Sequence, residues 1–323
     1  MKTRRIHKLA AWLIARDDIA ITAHVNPDGD AIGSTLGLML ALRQIGKRCF
    51  VSLSDPIPKT YRFLPHVDEI VTPDRAPFPP RYVVMVDCVE RERTGTARAL
   101  IEGAEECVCI DHHNTSEVTD EISVIDTSAA ASAELILLLT DALGGHLTRE
   151  SADCLYAAII TDCGSFAYDS TTPDTFRLAA RCAEQGIDIA GLNYRLFRER
   201  TAARTKLLGR ALNSIEFLRD GRVALIQITL EMLRSCNATS DEVEKIINFQ
   251  IETAGVEVAL LAEETSGGTR LSFRSRDYVD VSVIAAELGG GGHKRASGAM
   301  TAFPIDEAIE AALALIDRAL ENR

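Results

Sequence analysis

The sequence predicts an α/β protein, a mostly parallel sheet with flanking helices followed by a smaller α/β domain. Three observations carry this. Residues 19–25, 82–88 and 107–113 are continuous apolar runs, as expected of strands buried on both faces. Segments of helical periodicity separate them, the pattern of strand–helix–strand crossovers. At 323 residues, the chain is long enough for two cores. The expected division is a first domain over 1–186, a helical connector over 187–212 and a second domain over 213–323.

Composition narrows the class. Apolar residues make up 46% and charged residues 25%, ordinary for a soluble globular protein. No apolar run approaches the length of a membrane span, so no membrane partner is expected. Ile6, Leu9, Ala10, Leu13 and Ile14 follow helical spacing before Arg16, Asp17 and Asp18 stop the run. Residues 1–16 therefore read as an amphipathic first helix rather than a secretion leader. Eight cysteines are scattered singly, without zinc-type pairing; reduced thiols and a cytoplasmic location are expected. The net charge of −12 disfavours long nucleic acid, which needs a large basic surface. A short or single nucleotide held through metal ions stays compatible, because bound cations reverse the local charge.

The elements are read in order. The strand at 19–25 ends in the turn Asn26-Pro27-Asp28-Gly29, and a helix over 34–45 closes at Gly46. A strand at 48–54 leads into a connection made irregular by Pro56, Pro58 and Pro65. The strands at 82–88 and 107–113 flank a short helix at 96–102, and a further strand is expected at 121–126. Helices follow at 132–143, 149–161 and 174–185, with helices expected on both sheet faces. The connector is charged, carrying Arg195, Arg198, Glu199, Arg200, Arg204 and Lys206. Beyond it, strands are expected at 213–218, 223–229, 256–263 and 269–275, and helices at 240–253, 282–288 and 306–320.

Metal-competent side chains collect where the strands end. His24, Asp28 and Asp30 follow the first apolar strand, Asp87 ends the second, and His112 ends the third. Asp162 follows a helix. The carboxyl ends of strands in an open parallel sheet are where ligands bind, and imidazole with carboxylates suits a divalent cation such as manganese. Any one Asp in such a place is more often a turn or helix cap. So many at one sheet edge are hard to assign to capping, because the carboxylates would repel. Two metal ions would relieve that repulsion, a recurrent device for phosphoryl transfer to water.

Asp111-His112-His113 on a strand end resembles the signature of the DHH phosphoesterases. His24-Val25-Asn26-Pro27-Asp28-Gly29-Asp30, Asp87 and Asp162 match that family's other motifs in order, and Gly289-Gly290-Gly291-Gly292-His293 resembles the signature of the DHH-associated C-terminal domain. The resemblance spans nearly the whole chain and is closest to the stand-alone nanoRNase/pAp-phosphatase type. It implies one metal at His24, Asp28 and Asp87 and a second at Asp30, Asp87, His112 and Asp162, with Asp87 bridging. It implies that Asp111 supports the site from behind and that His113 faces the scissile phosphate. Adjacent side chains on a strand point to opposite faces, which would separate the roles of His112 and His113 unless the strand ends there.

In the second domain, Leu271-Ser272-Phe273-Arg274-Ser275-Arg276 resembles the strand whose Arg holds a terminal substrate phosphate. Arg274 is the best candidate there, since its fork gives two parallel hydrogen bonds; Ser275 and Arg276 are further candidates. A single surface Arg is more often a solvated charge, and a glycine run more often a flexible loop. His293, Lys294 and Ser297 beside the glycines shift that balance toward a phosphate cradle. Between residues 267 and 298, five basic residues stand against three acidic ones, a positive island in an acidic chain. The resemblance implies a manganese-dependent hydrolase of short oligoribonucleotides and 3′-phosphoadenosine 5′-phosphate (pAp), with the second domain set across a cleft. It leaves a homodimer open. Phosphodiesterase action on cyclic di-AMP or pApA is the alternative on the same scaffold. A non-catalytic nucleotide sensor is the alternative from another class, but a pure binder needs no bridging Asp87.

Overall fold

The computed structural model describes residues 2–113, 120–243 and 245–321. The chain divides into two compact units, Met1–Glu199 and Arg200–Arg323. The expected connector is shared between them. Leu192 and Leu196 lie in the core of the first unit, whereas Leu207 and Ala211 pack on Ile226 and Ile228 of the second.

The first unit runs α1 (Lys2–Ile14), β1 (Ile19–Thr22), α2 (Gly29–Gln44), β2 (Cys49–Val51), β3 (Tyr82–Val86), α3 (Arg98–Gly103), β4 (Glu106–Asp111), β5 (Val124–Ile125), α4 (Ser132–Ala142), α5 (Arg149–Asp162), α6 (Pro173–Ala183) and α7 (Ile189–Asn193). The five strands are all parallel, in the order β2-β1-β3-β4-β5. After β1 the chain crosses to one side for β2 and to the other for β3. The carboxyl ends of β1 and β3 therefore flank the point where the winding reverses, the place where such sheets bind ligands.

Helices lie on both faces, as expected, but do not cover them equally. Ile19, Ile21, Val84, Val86, Val108 and Ile110 pack into one large core with Leu9 and Leu13 of α1, Ile32, Leu36 and Met39 of α2, and Leu135 and Leu139 of α4. The opposite face, with Ala20, Phe50, Val83, Met85 and Cys109, meets Ile101 of α3 and partly buried irregular chain such as Phe78. The prolines keep that cover out of long helices.

Two local differences have clear causes. The helix expected from 34 begins at Gly29, because the Asp28 side chain accepts from Ala31 N at 3.0 Å and caps it. The strand expected at 121–126 shrinks to two residues, because Asp120 takes the N–H groups of Ile122 and Ser123 and turns the chain. Close packing of α2 on α5 also needs glycine. A Cβ on Gly29 would lie 2.2 Å from Thr161 Oγ1, and one on Gly33 2.3 Å from the Cys154 carbonyl. This approach sets the start of α2, with Asp30, beside the end of α5, with Asp162.

The second unit runs α8 (Ala202–Asn213), β6 (Glu216–Leu218), β7 (Val223–Ile228), α9 (Leu230–Cys236), α10 (Ile246–Ile251), β8 (Val258–Thr265), β9 (Gly268–Ser275), α11 (Val281–Glu287), β10 (Gly291–His293), β11 (Ala296–Thr301) and α12 (Ile305–Glu321). Its sheet has the order β10-β11-β9-β8-β7-β6, with only β7 and β8 parallel. Leu260, Leu271 and Phe273 face α11 and α12, while Ile226, Ala259 and Leu261 face α8, α9 and α10. The helix expected over 240–253 is broken. A single 3-10 turn at Ser240–Glu242 is followed by Lys245 at φ 68°, and the helix proper starts at Ile246; residue 244 lies outside the described residues. The glycine run is not a flexible loop. Its end forms edge strand β10, where Gly292, at φ 140°, would place a Cβ 2.6 Å from Ser297 Cα.

Candidate metal centre

Every first-unit residue expected at the site is brought to the carboxyl edge of the parallel sheet. His24 follows β1, and Asp87 follows β3 in the left-handed region at φ 58°. That conformation is costly for a residue with a Cβ and tends to occur where function needs it. It is held here by the Asp87 N–H, which donates to the Ile110 carbonyl at 2.8 Å.

The two oxygens of Asp87 face different imidazoles. Oδ2 lies 3.3 Å from His24 Nε2, and Oδ1 lies 3.5 Å from His112 Nε2. His24 Nε2 is also 3.9 Å from Asp28 Oδ1. His112 Nε2 is 3.2 Å from Asp162 Oδ2 and 3.8 Å from Asp30 Oδ2. Three overlapping ligand groups result, one of His24, Asp28 and Asp87, one of Asp30, His112 and Asp162, and one of Asp87, His112 and His113. Asp28 is thus both a helix cap and a member of the site.

The tautomers follow from the hydrogen bonds. His24 Nδ1 is 2.8 Å from the Val25 carbonyl, and His112 Nδ1 is 3.2 Å from the Ala129 carbonyl. A carbonyl can only accept, so each Nδ1 carries the proton and each Nε2 turns a lone pair into the site. His112 Nε2 is buried with no hydrogen-bond partner, facing the carboxyl groups of Asp162, Asp87 and Asp30. A bound divalent cation satisfies such an arrangement, and these acidic and histidine groups fit one.

Burial acts on the carboxylates. It raises Asp30 and, together with the charges of Asp30 and Asp28, raises Asp87 well above the usual carboxylate range. Burial and then the Asp30 charge push Asp162 up to about 7.

Asp30 is also held from behind by groups the sequence did not reveal. Ser132 N and Ala133 N, at the start of α4, donate to it at 2.6 and 3.1 Å, and Ser34 Oγ donates at 2.7 Å. Ser132 Oγ donates to Asp87 Oδ1 at 3.1 Å. The one available signal was a serine opening an apolar helix.

β4 ends at Asp111, so strand alternation does not separate His112 from His113. Their rings lie 4.4 Å apart, and both approach Asp87 Oδ1. Their hydrogen bonds distinguish them. His113 Nδ1 is 2.8 Å from Asp111 Oδ1. Asp111 also accepts the N–H groups of His112 and His113; burial pushes its carboxyl up, but the His113 ring first and these N–H groups with it hold it below the usual range. The Asp111 hydrogen bond, followed by the Asp87 charge, raises His113 to about 9 against the pull of burial.

In the second unit, the expected set separates. Arg274 shares a sheet face with Arg270 and Ser272, and together with Ser240, Lys245 and Leu261 they line a cavity of about 290 Å³. Arg274 is half-buried, its side chain donates to the Phe273 carbonyl at 2.9 Å, and burial pulls its pKa down. Ser275 and Ser297 are buried on the other face, where their hydroxyls donate to the carbonyls of Lys294 and Val281. His293 and Lys294 are exposed at the edge formed by β10.

Two family models match the chain. The DHH family N-terminal domain covers residues 18–159, and the DHHA1 domain covers residues 224–322. The bifunctional oligoribonuclease and PAP phosphatase NrnA of Thermus thermophilus is 36% identical over 91% of this chain and 88% of its own. The protein of the same name from Bacillus subtilis is 28% identical over 95% of each chain. Among solved structures, an exopolyphosphatase-related protein from Bacteroides fragilis superposes with a TM-score of 0.87 at 25% identity, covering 99% of this chain and 96% of its own. No described helix is long and apolar enough to cross a membrane.

Proposed function

The chain belongs to the DHH family, and from that premise we propose that it is a manganese-dependent phosphoesterase that cleaves short oligoribonucleotides to mononucleotides and removes phosphate from pAp. The observation that carries this reading is the Asp87 carboxylate, whose two oxygens each face a histidine with its lone pair turned inward. That arrangement suits a pair of ions sharing one carboxylate.

In this proposal His24, Asp28 and Asp87 hold one ion, and Asp30, Asp87, His112 and Asp162 hold the other. Bound there, a divalent pair polarises phosphate oxygens and makes water more acidic. The remaining work belongs to side chains. The start of α4 and Ser34 fix the Asp30 carboxylate, leaving it lone pairs for an ion. His113, kept cationic by Asp111, stands beside the shared carboxylate where it can offset charge on the phosphate and supply a proton from Nε2 to the leaving oxygen. Arg274 serves as a ligand for a second substrate phosphate. A mixed imidazole and carboxylate set suits manganese, and the acidic chain offers long RNA little beyond the site.

The test is turnover with manganese on a matched panel of pAp, a diribonucleotide, a longer RNA, cyclic di-AMP and pyrophosphate. Turnover should be fastest on pAp and the diribonucleotide. Failure to hydrolyse either, or preference for cyclic di-AMP, overturns the assignment.

A further inference from the structure

The segment after Asp162 is built with strain that the metal ligands do not use. Gly164, Ser165 and Phe166 are three successive residues in the left-handed region, at φ 57°, 57° and 68°. Two of them carry a Cβ, so the path is costly unless its surroundings determine it. They do. Ser165 N donates to the Ile160 carbonyl at 2.7 Å, and Ala167 N and Tyr168 N both donate to the Cys163 carbonyl. The Phe166 ring stacks on Phe176 with centroids 4.9 Å apart.

The product of this path is the position of Tyr168. Its ring lies against the bare backbone of Gly164, where an added Cβ would come within 2.5 Å of ring carbons. The ring therefore has a fixed seat two residues beyond Asp162, yet Tyr168 is 62% exposed. Its hydroxyl makes no hydrogen bond among the described residues. A lone exposed aromatic needs no explanation, but one seated by a strained turn beside a ligand group does.

We infer that Tyr168 is the stacking platform for the nucleobase carried next to the scissile phosphate. This rests on the proposed activity and adds the residue that makes the site prefer nucleotides to phosphates lacking a base. A phosphate held beside Asp162 carries its base nearby, and Gly164, against which the ring lies, follows Asp162 by two residues. Stacking on an aromatic face tolerates every base, which suits an enzyme acting on short RNA irrespective of sequence.

The test compares wild type, Tyr168→Ala, Tyr168→Phe and Tyr168→Trp on a diribonucleotide and on the same molecule without its bases, with melting temperature and bound manganese measured alongside. Tyr168→Ala should raise KM for the diribonucleotide about tenfold, toward the low end for one lost stack. Its kcat, its manganese content and its KM for the abasic analogue should stay unchanged, and Phe or Trp should restore KM. A KM within twofold of wild type, or an equal rise for both substrates, overturns the inference. Absence of wild-type turnover on the diribonucleotide would instead overturn the activity on which it rests.

Discussion

His113 Nδ1 lies 2.8 Å from Oδ1 of Asp111, a carboxylate already tied to the backbone N–H groups of His112 and His113. This bond is the first cause of the rise of His113 to about 9. Asp111→Asn keeps the shape and removes the charge, so His113 should fall toward the ordinary imidazole range. If cationic His113 assists the reaction, the alkaline limb of the kcat profile should move to lower pH in Asp111→Asn. Bound manganese should not change. An alkaline limb that stays in place removes His113 from the chemistry.

His112 and His113 should separate by metal content. His112 directs an unpartnered Nε2 at Asp30, Asp87 and Asp162, whereas His113 has its near nitrogen occupied by Asp111. His112→Ala should therefore lose about one ion per chain by elemental analysis, and His113→Ala should keep both while losing turnover. Equal metal loss in the two variants contradicts the division.

Asp87 should be the most damaging single loss. Asp87→Ala removes the carboxylate that both proposed ion sites use, so both ions should dissociate under conditions where wild type is saturated. The kcat should fall about a thousandfold or more, the upper scale for removing one preorganised charge-stabilising group. Fold should survive, because a buried carboxyl raised well above its usual range is a burden to the metal-free protein rather than a support. Near-native turnover would exclude a shared-carboxylate mechanism.

The strand ends were legible because each continuous apolar run stops at a His or Asp, so His24, Asp87 and His112 could be placed on one edge from residue types alone. Asp162 was placed correctly because α5 is regular to its end. The hold of α4 on Asp30 was not legible, since it uses the backbone N–H groups of Ser132 and Ala133, which any residue but proline supplies. Strand alternation does not distinguish His112 from His113, because β4 ends at Asp111; what differs is the partner of each Nδ1. In the second unit, Ser275 and Ser297 lie near Arg274 in the pairing register, yet period-two alternation turns both hydroxyls to the other face. Gly290 and Gly292 gave a loop signal because close approach to the β11 backbone excludes side chains just as flexibility favours their absence.

Arg274 should affect substrate binding without affecting metal. It is half-buried, and among its described hydrogen bonds is one to its neighbour's carbonyl, so donors remain for an anion. Arg274→Ala should raise KM for pAp and diribonucleotides about tenfold to a hundredfold, the scale of one charge-assisted hydrogen bond. A generic phosphodiester reporter with a single phosphate should be affected within about twofold. Equal damage to both substrates would mean that Arg274 supports the fold rather than the second phosphate.

The site carboxylates should make the stability of the metal-free protein fall as pH rises. Burial raises Asp30 and Asp87, and with the Asp30 charge it puts Asp162 at about 7. Each value lies above that of the unfolded chain, near 3.8 for aspartate. Between about 4 and about 7 the folded protein thus binds more protons than the unfolded chain, and the slope of unfolding free energy with pH is negative. These groups weaken the fold progressively across that window as they are forced to ionise. Manganese reverses the effect, because it binds the deprotonated ligands and stabilises only the folded state. The melting temperature in chelator should therefore drop between about pH 5 and about pH 7.5, and the gain on adding manganese should be larger at the higher pH. Asp162→Asn should flatten the chelator profile, since the amide does not titrate. A manganese gain that is equal at both pH values, or larger at the lower one, would show that the ion does not sit among these carboxylates.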